Sequence, residues 1–300
     1  MANDRTRPLV GIIGGTGVGD FLTKQAAGDS VQIETPFGPP SAPLLRATWE
    51  GIDVVFLLRH GPGHLYPPSA VPYRANVFAL KAVGCTHVLA SGATGSLREE
   101  IAPRDLVIPD QVIDRTVRRP SSFFDEFGAA VHVEFSQPFC PTLRRLLLSQ
   151  GEHAGTTVHD GGTYVCMEGP AFSALAESRM HRAWGGDLIG MTCLPEAKLA
   201  REAEMCYALI ALATDYDCWR PHDPAQDRRQ LLREIMDNLN DVTQRAADLL
   251  AAGLREFSRH PPGPCACQTA LDLAIWSKVD QVPRPWIERL RPILARRLHA

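Results

Sequence analysis

The chain has 300 residues, 45% of them apolar and 22% charged, with a formal net charge of -3. That length suits one large α/β domain or two small ones with a core to bury. The near-neutral balance excludes a basic nucleic-acid face and an acidic solvating tail, and no run approaches the roughly 20 apolar residues of a membrane span, so a soluble, cytoplasmic protein is expected.

The first apolar run, Leu9 to Ile13, ends in Gly14-Gly15-Thr16-Gly17. It is too short for a signal sequence, and its unbroken apolarity suits a strand buried on both faces. Val54 to Leu58 follows, ending at Arg59-His60-Gly61, and then Thr86 to Ala90, ending at Ser91-Gly92-Ala93-Thr94-Gly95. Between these the spacing of Val77, Leu80 and Val83 predicts a helix over 73–83. Leu106 to Ile108 and Asp187 to Ile189 read as strands, the second meeting Gly190-Met191-Thr192. A helix is predicted over 195–205, then a strand over 207–213 that ends at Thr214-Asp215. A long helix begins near Asp223-Pro224, an N-cap followed by proline at its first turn, and carries Leu231, Ile235, Leu239, Val242, Ala246, Leu249 and Leu250 on one face. The Pro-Gly-rich stretch 259–264 breaks it, and a last helix over 285–298 is kinked or split at Pro292.

Most of these strands end in small, polar or charged residues. Ligands of open α/β sheets bind at the carboxyl ends of strands, so the ends read as one composite site. The Gly14–Gly17 turn frees backbone N–H groups to converge on an anion, but it is neither a dinucleotide fingerprint nor a P-loop. Arg59 beside His60 suits an anion clamp, because guanidinium binds phosphate with paired hydrogen bonds. A surface arginine and a capping histidine would read the same way. A carboxylate at the end of an apolar strand is costly unless a ligand or donor satisfies it, which singles out Asp215 and Asp217. Two carboxylates at i and i+2 reach one pocket rim if the chain turns there. A protonated aspartic acid there would donate to N7 of adenine while the second takes the exocyclic amino hydrogens. Helix capping is the alternative for Asp217. Phe172 offers a ring that would stack on a base or fill the core. Of the eight cysteines, Cys85, Cys140, Cys166, Cys193, Cys206 and Cys218 lie scattered and read as buried free thiols. Cys265 and Cys267 form a single Cys-x-Cys; zinc usually takes four ligands and no second pair of suitable spacing accompanies it, so no metal is expected.

The stretches GIIGGTG, LLRHG, SLREEIAPRDLVIPDQVIDRT, PFCP, EGPAFS, MTCLPEAKLAREAEMCYA and ATDYDCW occur in that order from Val10 to Trp219. Together they resemble the trimeric purine nucleoside phosphorylases, in the 5'-methylthioadenosine phosphorylase branch. The resemblance implies a single α/β domain with a mixed central sheet flanked by helices. The catalytic part would cover 1–260, with a C-terminal loop and helix over 261–300 packed on it. It implies phosphorolysis of 5'-methylthioadenosine or a close adenine nucleoside, with inorganic phosphate as co-substrate and no cofactor. Thr16, Arg59, His60, the Gly92-Ala93 backbone and Thr192 would hold phosphate. The Met191 backbone would meet the ribose hydroxyls. Phe172, Ser173, Asp215 and Asp217 would frame the adenine, with Asp215 as the catalytic acid. A homotrimer is implied, with His132 lent to a neighbouring subunit's 5' pocket. The Cys265-Ala266-Cys267 pair resembles a C-terminal Cys-x-Cys that is oxidised in some members, and no catalytic role is expected of it.

This chain departs from the pattern at several points. The usual T-T-A-C-G-S reads Ser91-Gly92-Ala93-Thr94-Gly95-Ser96, so a hydroxyl is missing at Gly92. Gly190 replaces an asparagine, and Ala171 the arginine of E-G-P-R-F. Where the family has a Val-rich helix start lining the methylthio pocket, this chain has Ala225-Gln226-Asp227-Arg228-Arg229. Either the helix begins a turn later, with Leu231 and Leu232 facing the pocket, or Arg228 enters it and the substrate carries a polar 5' group. A phosphorylase for 6-oxopurine nucleosides, a phosphorylase for another adenine nucleoside, and a non-catalytic nucleoside- or phosphate-binding protein are the competing readings.

Overall fold

The computed structural model describes residues 8–19, 28–220 and 228–298. Its centre is an eleven-stranded mixed sheet. The strands are β1 (Leu9–Gly14), β2 (Asp29–Val31), β3 (Leu44–Trp49), β4 (Ile52–Leu58), β5 (Cys85–Ser96), β6 (Leu106–Ile108), β7 (Gln111–Arg115), β8 (Val158–Asp160), β9 (Thr163–Met167), β10 (Leu188–Gly190) and β11 (Cys206–Tyr216). One path runs β2-β3-β4-β1-β5-β10-β9-β7, and β11 pairs the other edge of β5 and leads to β6 and β8. The helices are α1 (Tyr73–Ala82), α2 (Pro141–Ser149), α3 (Leu175–Ala183), α4 (Cys193–Glu202), α5 (Arg228–Arg259), α6 (Arg284–Arg289) and α7 (Arg291–Leu298).

The unbroken apolar runs follow from burial on both faces. Along β11, Tyr207, Leu209, Ala211 and Ala213 join one core layer with α1 and α4 residues such as Leu80 and Leu199. Cys206, Ala208, Ile210 and Leu212 join the opposite layer with Leu143 of α2 and Val242, Leu249 and Phe257 of α5. Successive side chains of a strand point to opposite faces, so a strand between two helical layers has no polar face to show. Residues after the long helix complete the first layer: Leu271, Trp286, Leu290, Ile293 and Leu294 pack into it.

Several boundaries differ from the sequence expectation. β5 does not stop at Ala90 but runs to Ser96, because Ser91–Ser96 keeps pairing with β11. Likewise β11 continues past Ala213 to Tyr216, through a register shift between Ala213 and Asp215. The last helix is two helices, separated at Leu290, with Pro292 in the first turn of α7 where its missing N–H costs nothing. The expected Asp223-Pro224 start of α5 lies outside the described residues. The short strands β2, β3, β7, β8 and β9 and the helices α2 and α3 lie outside the elements expected from the sequence.

Candidate active site

The topology opens the site. β1 pairs one edge of β5 up to Ile13↔Ala90. β10 approaches the same edge from the opposite direction and pairs Ile189↔Gly95, while β11 covers the other edge throughout. Ser91, Gly92, Ala93 and Thr94 are left between two strand ends. The Gly14-Gly15-Thr16 turn arrives from one side and Gly190-Met191-Thr192 from the other. Gly15 donates its N–H to Ser91 Oγ at 3.3 Å. A β-carbon on Gly15 would sit 2.6 Å from both Arg59 Nη1 and the Ser91 carbonyl, so this close approach requires glycine. A β-carbon on Gly92 would sit 3.3 Å from Thr192 Oγ1. Gly15, Arg59, Ser91, Gly92 and Thr192 are therefore neighbours at the strand ends and the start of α4, with Thr16 and Ala93 next to them in the chain.

Behind this cradle lies a group the sequence reading missed. Glu196, on α4, is fully buried, as is Arg59. Arg59 donates Nε to Glu196 Oε1 at 2.5 Å and Nη2 to Oε2 at 2.9 Å, and Nη1 to the Ser91 carbonyl at 2.7 Å. Tyr207 donates its hydroxyl to the same glutamate at 2.9 Å. Burial alone would lower the Arg59 pKa, but Glu196 outweighs it and holds the guanidinium firmly charged. The Nε and Nη2 sides of the fork thus clasp Glu196, and Nη1 lies beside Gly15. His60, in the turn after β4, donates Nδ1–H to the Tyr66 carbonyl at 2.8 Å and stacks on His64 with centroids 4.2 Å apart. Burial, then the Arg59 charge, pushes its pKa down to about 4. The imidazole is neutral with its proton on Nδ1, leaving Nε2 as an acceptor.

Gly95 lies four residues beyond Ser91 on β5, about 13 Å at 3.3 Å per residue. A β-carbon there would sit 3.3 Å from Asp217 Cβ and 3.6 Å from Asp215 Oδ2. Asp215 and Asp217 both flank Gly95, and the device is a bulge rather than a turn: Thr214 is the extra residue, and Asp215 instead of Thr214 pairs Gly95. Thr214 donates its hydroxyl to Asp215 Oδ1 at 2.6 Å. Asp217 is buried, and its Oδ2 has no hydrogen-bond partner among the described residues. An acceptor buried without a donor is costly, so this oxygen is where a ligand N–H gains most. Ser173 lies beside this arm, its carbonyl accepting the Cys218 thiol at 3.2 Å. Phe172 is 85% exposed, so the core-filling alternative for this ring is set aside.

Arg119 is a second missed residue. It donates to the carbonyls of Met191 at 2.5 Å, Leu194 at 2.8 Å and Glu168 at 2.6 Å, and so locks the segments after β9 and β10 together. Met191 Sδ packs against Gly169. Gly190, a departure from the family pattern, has a local cause: any β-carbon there would overlap the hydroxyl of the fully buried Tyr164. His132 lies between β7 and α2. Its backbone N–H bonds the Ala274 carbonyl at 2.9 Å, and its exposed ring packs on Trp276, itself 73% exposed. Gln226 and Asp227, and the side chains of Arg228, Leu231 and Leu232, lie outside the described residues.

An anion cradle and an acidic, donor-seeking arm lie along one strand of a mixed α/β sheet. That pairing puts a candidate anion site and a candidate base site on one strand. The chain belongs to the phosphorylase superfamily, whose family model matches residues 9–255. It is 47% identical to the S-methyl-5'-thioadenosine phosphorylase of Gloeobacter violaceus, over 96% of this chain and 95% of that protein. The crystal structure of a methylthioadenosine phosphorylase from an Antarctic soil metagenomic library superposes with a TM-score of 0.87 at 39% identity, covering 96% of this chain and all of that one. Methylthioadenosine phosphorylase from Schistosoma mansoni, in complex with adenine, superposes at 0.77 with 34% identity, covering 90% of this chain and 99% of that one.

Proposed function

We propose that this protein cleaves 5'-methylthioadenosine, or a close adenine nucleoside, by phosphorolysis to adenine and a pentose 1-phosphate. The observation that carries the adenine assignment is that Asp215 and Asp217 both flank Gly95, with a buried Asp217 oxygen that lacks a partner among the described residues. The exocyclic amino group of adenine supplies the N–H that this oxygen lacks. A 6-oxopurine would bring an oxygen toward it and raise the cost.

Phosphate sits in the cradle of the Gly15-Thr16 turn, the Gly92-Ala93 backbone and Thr192. The Arg59 charge lies behind it, where no reorganisation is needed as the reaction proceeds. His60 takes a hydrogen bond on Nε2 from a protonated phosphate oxygen. The glycosidic bond breaks ahead of attack, the sugar becomes oxocarbenium-like, and electrons move to the purine. Asp215 donates a proton toward N7 and Asp217 holds the amino group. General acid help of this kind is typically worth ~10²–10⁴-fold, and alignment of phosphate below C1' contributes much of the rest. Ser173 and Phe172 flank the base, and the Met191 segment, braced by Arg119, meets the ribose. Residues 1–260 carry this chemistry and 261–300 brace it. The chain works in the cytoplasm as a homotrimer, in which the exposed His132 and Trp276 face a neighbouring subunit's sugar pocket. Among the described residues no helix is long and apolar enough to cross a membrane.

The test is a panel of 5'-methylthioadenosine, adenosine and inosine with phosphate, scored by kcat/KM for base release. Methylthioadenosine is expected to lead. Inosine as the best substrate would overturn the base assignment.

A further inference from the structure

On the far side of the fold, four cysteines from three parts of the chain come together. Cys140 is the N-cap of α2, Cys206 begins β11, and after α5 Cys265 caps the tight turn Ala266–Thr269 that contains Cys267. Their four sulfurs all lie within 4.8 Å of one another. The pair Cys140 and Cys265 is 3.5 Å apart, and all four are free thiols. The backbone fixes the arrangement: Cys140 donates its N–H to the Tyr207 carbonyl at 2.7 Å, tying the start of α2 to the start of β11. Cys140, Cys206 and Cys267 are buried, and Cys265 is partly exposed at the mouth.

We propose that Cys140, Cys206, Cys265 and Cys267 form a tetrathiolate site for a divalent cation of the zinc class, which fastens the C-terminal segment to the sheet. A zinc ion holds four thiolates at about 2.3 Å in a tetrahedron, which places the sulfurs about 3.8 Å apart. The cluster is therefore within roughly 1 Å of that geometry before any metal enters. Two disulfides would need two pairs drawn to about 2.05 Å, whereas here each sulfur stands near three others. Thiolates are the soft donors that select this class over magnesium or calcium.

The surroundings suit a site that gains negative charge. Cys140 stands at a helix N-terminus, where thiolates are favoured. The nearby Arg201 guanidinium is fixed by the Glu134 and Gln137 carbonyls at 3.0 and 2.5 Å. On binding, the cation replaces the protons that the thiols still carry. Those protons leave to solvent and no electrons move. Asp215 lies nine residues along β11 from Cys206, about 30 Å at strand rise, so the site holds the fold together and takes no part in the reaction.

The test uses the full chain, reduced and stripped with a chelator, then titrated with cobalt(II) under reductant. About one equivalent per chain is expected, with thiolate-to-cobalt charge-transfer and tetrahedral d–d absorption. Zinc should displace the cobalt, and either metal should raise the unfolding midpoint. The variant C265S/C267S alters only the loop pair. It should lose the absorption and the metal-dependent rise while keeping its far-UV circular dichroism, and Cys85→Ser should lose neither. The proposal is overturned if the reduced protein shows no thiolate–cobalt absorption or if the absorption survives in C265S/C267S. Isolation as two disulfides with no cobalt uptake after reduction would overturn it equally.

Discussion

Glu196→Gln removes a charge and almost no volume from the most buried polar group of the site. Arg59 and Glu196 are both fully buried, and the carboxylate accepts from Nε at 2.5 Å, Nη2 at 2.9 Å and the Tyr207 hydroxyl at 2.9 Å. Placed at the Oε1 position, the glutamine oxygen keeps the Nε bond. Its amide nitrogen then meets Nη2 donor to donor, and the guanidinium is left charged without a counter-ion. Breaking a buried pair at one partner costs about 3–5 kcal/mol, and the retained bond puts this case near 3. Urea unfolding at fixed protein concentration, which removes any shift from subunit association, is the assay. The partner substitution sharpens it. Arg59→Met takes away the orphaned charge, so R59M/E196Q should be more stable than Glu196→Gln alone, with a coupling of about 2 kcal/mol or more in the double-mutant cycle. A loss below about 1 kcal/mol, or additive effects, would show that the pair does not hold the cradle and refute the reasoning.

Gly190→Ala forces a β-carbon into the Tyr164 hydroxyl and should cost about 1–3 kcal/mol by overpacking, read in the same unfolding assay; an unchanged midpoint would contradict the packing. His60 should titrate near pH 4 by NMR in the absence of phosphate. Because its folded pKa lies below the unfolded value of about 6.5, its contribution to stability is fully present above about pH 6.5. That contribution is lost as pH falls toward 4, a dependence that His60→Gln should reduce. Asp215→Asn should lower kcat/KM for adenine nucleosides by about 10²-fold or more and narrow their advantage over inosine, and full retained activity would remove Asp215 from the acid role. Light scattering at micromolar concentration should give three times the chain mass; an active monomer would contradict the proposed use of His132.

The core strands were legible because a strand between two helical layers shows apolar residues at every position, as along Tyr207–Ala213. Their true ends were not. Gly92 and Gly95 look like a turn in sequence, yet pairing with β11 keeps them extended. Arg59, Thr192 and the Asp215–Asp217 pair were visible because polar residues at strand ends stand out against apolar runs. Glu196 was not: it sits among charged neighbours in PEAKLAREAE, where a buried glutamate and a solvated one look alike. Only the position of Arg59 across the sheet decides which it is. Arg119 was hidden for a similar reason, since its partners are backbone carbonyls that leave no mark in sequence. The cysteine cluster escaped because ligand spacing was sought within a local stretch, whereas Cys140 and Cys265 are brought together by the fold.

The most direct measurement follows phosphate itself. With 5'-methylthioadenosine and inorganic phosphate, ³¹P NMR should show one phosphate converted to a pentose 1-phosphate for each adenine released, and almost no adenine should appear when phosphate is left out. Adenine release at the same rate in phosphate-free buffer, with the inorganic phosphate signal unchanged when phosphate is present, would make water the nucleophile and contradict the role given to the cradle of Thr16, Gly92 and Thr192.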